Sequence, residues 1–201
     1  QVDFGKGAPV VGEDGKRTRP HLFRMVLSHS GAGYSEVVRK QDTETFIRCI
    51  ENAFLHFGGV TETLVTDNLK AAVTKADWYD PDINPKMREF CEHCGTVPLP
   101  TKPRMPRHKG KVEKSVDYVQ QNALKGRTFA SLVEQNQFLA DWEERVADTR
   151  IHGTTRRQVR KALEAEREYL APLPEGLFPC FREAQRKVNR DGHVEVDHAY
   201  Y

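Results

Sequence analysis

The stretch from Asp42 to Gly59 constrains the fold most, because a helix pattern with two marked ends sits there between strand patterns. Phe46, Ile47, Ile50, Ala53, Phe54 and Phe57 recur at the helical period over 43–57. Asp42 or Thr43 can cap the first turn, and Gly58-Gly59 stops the last. Upstream, QVDFG reads as a first strand, followed by a Gly/charge-rich excursion that turns at EDGK. PHLFRMVLSHSG is then a mostly apolar strand and GYSEVVRK an alternating one. Downstream, TETLVTD is a short strand over 61–67, and 85–94 is a helix ending at Gly95. TVPLP is a further strand, and a long helix starts near Lys109. The order βββ, α, β, α, β, α predicts a mixed α/β sheet with helical crossovers, in which ligand sites lie beyond strand carboxyl ends.

After Gly126 the character changes. Residues 129–147 and 154–169 read as charged amphipathic helices, and Pro172 and Pro174 end the helical part. Phe129, Leu132, Val133, Phe138, Leu139, Trp142 and Val146 form an apolar stripe that needs a partner surface, in this chain or another. The tail alternates around Asp191-Gly192, a hairpin signal. The expected organisation is a core over 1–126, a helical extension over 127–172 and the opening of a small β-domain over 173–201. Gln1 in place of Met, and the strand-like ending HVEVDHAYY, predict a piece of a longer protein.

At 201 residues, 38% hydrophobic and 30% charged, the chain can bury one sizeable core plus an appendage. It has no uninterrupted apolar run of about 18 residues, so no membrane partner is expected. A net charge of +2 says little about partners, but its distribution says more. Between 102 and 127, eight cations (Lys102, Arg104, Arg107, Lys109, Lys111, Lys114, Lys125, Arg127) face two acids, Glu113 and Asp117. The prolines and glycine in TKPRMPRHKGK make the first part a basic loop, a fitting footprint for phosphates.

Cys49 falls on the apolar face of the first helix and reads as core. Cys91 and Cys94 have CxxC spacing without a second pair, so a zinc site would need Cys180 or His93; two reduced thiols near a helix end are the favoured reading. The histidines contain no HxxxH-type pair. Trp78, Tyr79 and Trp142 read as packing residues.

Three acids stand out: Asp3 in QVDFG, Asp67 in LVTDN and Glu113 in HKGKVEKSVDYV. Carboxylates on strands and a nearby helix can converge on divalent metal, and two metals about 3.5–4 Å apart can drive in-line phosphoryl transfer. Each acid also has an ordinary reading. Asp3 is an acid near a strand start, Asp67 with Asn68 can make a turn, and Glu113 can answer the helix dipole. Val116, Val119 and Ala123 give the last helix a buried stripe with Glu113 at its edge.

Taken together, QVDFG, HLFRMVLSHS, GGVTETLVTDNLKAAV, PRMPRHKGKVEKSV and TRIHGTTRRQV resemble the DDE catalytic core of retroviral integrases and bacterial transposases, most of all the IstA-type transposases of insertion sequences. The resemblance covers nearly all of residues 1–170. It implies an RNase H-like fold: a mixed five-stranded sheet flanked by helices, then a helical segment and the start of a small β-barrel domain. It implies Asp3, Asp67 and Glu113 as a metal-binding triad for two Mg²⁺ or Mn²⁺ ions, with Asp3 bridging them. The 46 positions from Asp67 to Glu113 exceed the compact spacing of retroviral integrases, so extra helix and loop are expected there.

The activity implied is cleavage of transposon ends and 3′-hydroxyl strand transfer into target DNA. It would be carried out by a homo-oligomer on paired ends with an IstB-type AAA+ ATPase helper, in the bacterial cytoplasm on the nucleoid. The family's helical DNA-binding domains would precede Gln1. Expected DNA contacts are Lys102, Arg104, Arg107, Lys109, Lys111 and Lys114 on phosphates, with Asn68 and His108 open to ordinary turn and surface roles. Arg156, Arg157 and Arg160, with Lys161, form a second basic cluster expected to meet DNA or another subunit, and Thr154 or Thr155 can cap its helix. An RNase H-like nuclease without strand transfer, and a non-catalytic DNA-binding scaffold, remain the alternatives.

Overall fold

A computed structural model of the chain describes residues 1–66, 73–75, 82–100, 110–153 and 155–179, with positions 188, 193, 195, 196, 199 and 200 beyond them. Strand β1 (Val2–Lys6) leads into a small hairpin, β2 (Val10–Val11) and β3 (Arg17–Thr18), which occupies the charged excursion. Then come β4 (His21–Val26), β5 (Gly33–Val38) and helix α1 (Thr43–Phe57). Next are β6 (Thr63–Thr66), β7 (Val73–Lys75), β8 (Asp82–Ile83), α2 (Pro85–Cys94) and β9 (Val97–Pro100). Helix α3 (Gly110–Val119) runs on as a π turn over Gln120–Leu124. Helix α4 (Leu132–Trp142) ends in a π turn, Glu143–Ala147, and α5 (Val159–Glu166) in a 3₁₀ turn. Two short strands, β10 (Glu195–Val196) and β11 (Ala199–Tyr200), pair antiparallel.

The sheet has order β1-β4-β5, all antiparallel, and β6 lies against β1 while pairing in parallel with β9. Side chains alternate along β4. Phe23 and Met25 face a cluster formed with α1, α2, α5 and Phe178, whereas Leu22 faces one formed with Val37, α3 and α4. A strand covered on both faces must be apolar throughout, which explains the unbroken run LFRMV apart from one arginine. The first helix ends where the sequence marks it: the Asp42 side chain accepts from Thr45 N at 2.9 Å, and Gly58 takes the left-handed φ of 80°.

The stripe after Gly126 is spent mostly on this chain's own sheet. Phe129, Leu139 and Trp142 join the second cluster, with Leu132 and Phe138 packed against it, while Val133 and Val146 stay exposed. Helix α4 also closes the free edge of β5: Val37 N donates to Asn136 Oδ1 at 2.6 Å and Asn136 Nδ2 donates to Val37 O at 3.2 Å. The residues after α5 return to the first cluster. Val60 and Ala171 exchange backbone bonds of 2.9 Å each, and Phe178 N donates to Glu51 Oε1 at 2.5 Å.

Two local expectations need correcting. The helix expected over 154–169 begins only at Val159, capped by Gln158 without a side-chain bond. Ahead of it, Arg156 has φ 55° and its N donates to His152 O at 2.8 Å, which closes a turn where helix was expected. Thr155 therefore caps nothing and instead donates its N to His152 Nδ1 at 3.4 Å, while Thr154 lies outside the described residues. The turn expected at Asp191-Gly192 also lies outside them. No helix among the described residues is long and apolar enough to cross a membrane.

Asp148 follows the π turn of α4, is only 8% exposed, and keeps a buried Oδ1 with no hydrogen-bond partner among the described residues. Burial pushes its carboxyl above the ordinary carboxylate range, outweighing the nearby His56, Arg160 and Arg24 charges. Below the unfolded value both states are protonated. As pH rises through the carboxylate range the unfolded chain ionises first and the native state loses relative stability. Asp148→Asn is therefore expected to stabilise the protein at pH 7, by on the order of 1 kcal/mol. That gain should vanish in acid, and thermal melts across pH check it.

Candidate active site

Gly5 allows an unusually close approach between β1 and α3. A Cβ built there would lie 2.5 Å from Val116 Cγ1, so only glycine lets the helix sit this near the strand. One turn further along α3, Gln120 Nε2 donates to Lys6 O at 2.9 Å. The helix and strand thus run in the same sense, with Val116 at Gly5 and Gln120 at Lys6. One turn back from Val116, a rise of about 5.4 Å, reaches Val112 and Glu113. Two residues back from Gly5, about 6.6 Å of strand, reaches Asp3. Asp3 shares a strand face with Gly5, and Glu113 lies in the first turn of α3, one turn before Val116.

A buried arginine holds that interface from behind. Arg24 stands opposite Asp3 across the β1–β4 pair and is 1% exposed. Its Nε donates to Ser115 Oγ of α3 at 2.9 Å, its Nη1 donates to Ser35 Oγ at 2.8 Å, and it forms an ion pair with Glu143. Ser35 Oγ also donates to Glu143 Oε1 at 2.8 Å. The arginine charge is matched by Glu143, and α3 is fixed two residues from Glu113. At Gly33, a Cβ would fall 2.0 Å from the Arg24 guanidinium, so this glycine makes room for the side chain.

Asp3 is half-buried and its Oδ1 accepts from Phe4 N at 2.8 Å; Glu113 is exposed in the first turn of α3. Asp67 follows β6, whose last residue Thr66 is buried, but Asp67 itself lies outside the described residues, as do Asn68, Lys102, Arg104, Arg107, His108 and Lys109. Lys111 belongs to α3, and Lys114 is exposed on the same helix. Among the described residues no three His, Cys, Asp or Glu side chains converge as a metal group. The carboxylates of Asp3 and Glu113 are hard oxygen donors, of a kind that suits Mg²⁺ or Mn²⁺ and not a soft metal. Cys91 and Cys94 are buried free thiols, pushed by burial up to about 12 and about 11.

The second basic cluster is exposed, with one member engaged: Arg160 Nη2 donates to Glu144 O at 2.6 Å, while Arg156, Arg157 and Lys161 face outward. Residues with a hand in this region that the sequence pattern did not single out are Arg24, Glu143, Tyr118 and Arg150. Only Arg24 left a signal, a charge inside an apolar strand.

Comparison with known proteins agrees with this architecture. The family model described as "Integrase core domain" matches residues 1–106. The Sinorhizobium fredii protein y4uI, named as a transposase, is 34% identical over 208 residues, covering 100% of this chain and 40% of that protein. The transposase for insertion sequence element IS21 of Pseudomonas aeruginosa is 32% identical over 197 residues, covering 98% of this chain and 50% of its own length. The chain thus spans about two fifths to half the length of these relatives. Among solved structures, the HTLV-2 integrase catalytic core domain in complex with magnesium superposes with TM-score 0.53 at 14% identity, covering 81% of this chain and 93% of that one. A chain of the simian T-cell lymphotropic virus intasome in complex with PP2A regulatory subunit B56 gamma gives TM-score 0.54 at 15% identity, covering 91% of this chain and 59% of that one. Both likenesses show the RNase H-like fold. With the family match over its first half, the chain belongs to the integrase core family.

Proposed function

We propose that this chain is the catalytic core of a transposase that cuts transposon ends and joins their 3′-hydroxyls to target DNA. The observation that carries the reading is the close packing of α3, which carries Glu113, on β1, which carries Asp3, through the Gly5–Val116 approach and the Arg24–Ser115 bond. Asp67, following the strand that lies against β1, completes the proposed triad. These three carboxylates would hold two Mg²⁺ or Mn²⁺ ions, which when bound supply an activated oxygen nucleophile and offset charge on the leaving oxygen.

The chain's own residues do the rest. In cleavage a water oxygen bonds to phosphorus and the 3′-oxygen leaves; in joining that 3′-hydroxyl attacks a target phosphodiester and displaces another 3′-oxygen. Bonds formed and broken are alike, so no external energy source is needed for the exchange. Lys109, Lys111 and Lys114 hold strand phosphates, and the exposed Arg156 and Arg157 meet DNA or another subunit. A homo-oligomer on paired ends, an IstB-type AAA+ helper, action on the bacterial nucleoid, and a β-barrel domain opening with β10 and β11 after a core and helical extension belong to the same reading.

The test is a divalent-dependent assay on duplexes carrying the element's own ends, with the longer natural protein, resolving hydrolysis from strand-transfer products. Glu113→Gln is expected to lower both by on the order of 10³-fold or more while leaving the melting temperature unchanged, because Glu113 is exposed. Undiminished joining by that variant would remove Glu113 from the site. Hydrolysis without joining by the unaltered protein would favour the nuclease alternative.

A further inference from the structure

A cleft of about 690 Å³ opens between the end of β4, the part of α3 that follows Glu113, and residues of the segment after Arg150. We infer that it takes one unpaired nucleotide of the DNA strand whose phosphodiester lies at the acids, an inference that rests on the proposed function. The described walls carry Lys114, Arg150, His29 and His152 and no carboxylate. Such a lining attracts an anion and repels none. Its volume lies in the range of small-ligand sites, so it admits a nucleotide and excludes a duplex.

Two of these donors, Arg150 and His152, are held in place by the fold. The Arg150 guanidinium lies 4.0 Å over the Tyr118 ring, whose centroid is 5.3 Å from that of Trp142, and its buried Nε has no hydrogen-bond partner among the described residues. A stacked, planar guanidinium at the cleft wall is suited to a phosphate oxygen or a base edge. The next two residues form a closed loop: Ile151 bridges Gln158, His152 N donates to Arg157 O at 2.8 Å, and Arg156 N donates to His152 O at 2.8 Å. This loop sets the His152 ring on Gly31, where a Cβ would meet it at 3.1 Å. Thr155 N donates to Nδ1 of that ring, so the neutral imidazole carries its proton on Nε2, as a donor. At the lip Ile151 is 69% exposed, a large apolar side chain beside three cationic or donor groups. That combination fits a base against Ile151 and the apolar end of β4, with its phosphate on Lys114, Arg150 and His152.

The position gives the cleft its substrate. Lys114 and Ser115 are the residues after Glu113, and Val26 lies two positions beyond Arg24, the cross-strand partner of Asp3. A strand crossing the acids therefore continues directly into this opening once its next base is unpaired.

The experiment measures binding of the protein, in EDTA, to labelled duplexes of one sequence that are blunt, 5′-extended or 3′-extended by a short single strand. One extended duplex is expected to bind about tenfold tighter than the blunt one. Ile151→Glu and Arg150→Gln should each abolish that preference and leave blunt-duplex affinity unchanged. Ile151 is exposed, so its variant folds normally; melting curves exclude misfolding for Arg150→Gln. Equal binding of blunt and extended duplexes by the unaltered protein overturns the inference, as does an equal loss on both duplexes in the variants. Cleavage is assayed in parallel. A retained overhang preference without any divalent-dependent cleavage would sink the catalytic reading alone, and cleavage without the preference would sink this one alone.

Discussion

Arg24→Ala is expected to lower stability by about 3–5 kcal/mol, because it leaves the Glu143 carboxylate, 2% exposed, buried without its cation. Glu143 Oε2 already lacks a hydrogen-bond partner among the described residues, so nothing nearby can take over. Urea unfolding followed by dichroism checks the size. The double replacement Arg24→Met with Glu143→Leu should recover most of that loss, since an ion pair exchanged for apolar volume is close to neutral. The recovered protein would still lack the bond from Arg24 to Ser115 that fixes α3. Its stability should therefore return while its divalent-dependent activity does not. An Arg24→Ala protein unfolding at the wild-type urea concentration would show the network to be a passenger.

Ending the chain at Gln158 should abolish cooperative folding, although the family match stops much earlier, at residue 106. The deletion removes Val159, Leu163 and Phe178 from the first core cluster, with Leu170 and Leu173 that pack against it. Each such side chain contributes about 1.5–3 kcal/mol on burial, and together they exceed much of the 5–15 kcal/mol by which domains are usually stable. The deletion also strips the backbone pairing of Val60 with Ala171. Dichroism and a urea titration of the shortened chain decide the matter. A native-like spectrum with a sharp transition would mean that the catalytic strands form an independent unit. Phe178→Ala, a milder probe of the same packing, should cost about 3 kcal/mol.

The helices with strong ends were legible residue by residue. Asp42, Gly58 and Gly95 mark local events, and a local pattern carries that information. The loop at 151–158 was not, because the helical pattern there is overruled by bonds that close on His152 and force Arg156 to positive φ. The buried network was illegible for a different reason. Arg24 and Glu143 are 119 positions apart, and no periodicity links them. The acids stand between these cases. Each had an ordinary local explanation, and resemblance alone joined them. The Gly5–Val116 approach that packs the helix of Glu113 on the strand of Asp3 is a contact, visible in the sequence only as a glycine.

The return of the chain onto α1 also sets a clock. Glu51 waits for Phe178 across 127 positions. At about 5–20 residues per second, a ribosome needs on the order of ten seconds to deliver that partner. Throughout that interval α1 and the strands beneath it are already made, yet their apolar face has no finished cover. Each newly synthesised copy therefore passes through a window in which holdase chaperones, or a second nascent copy, compete with its own last segment for the same surface.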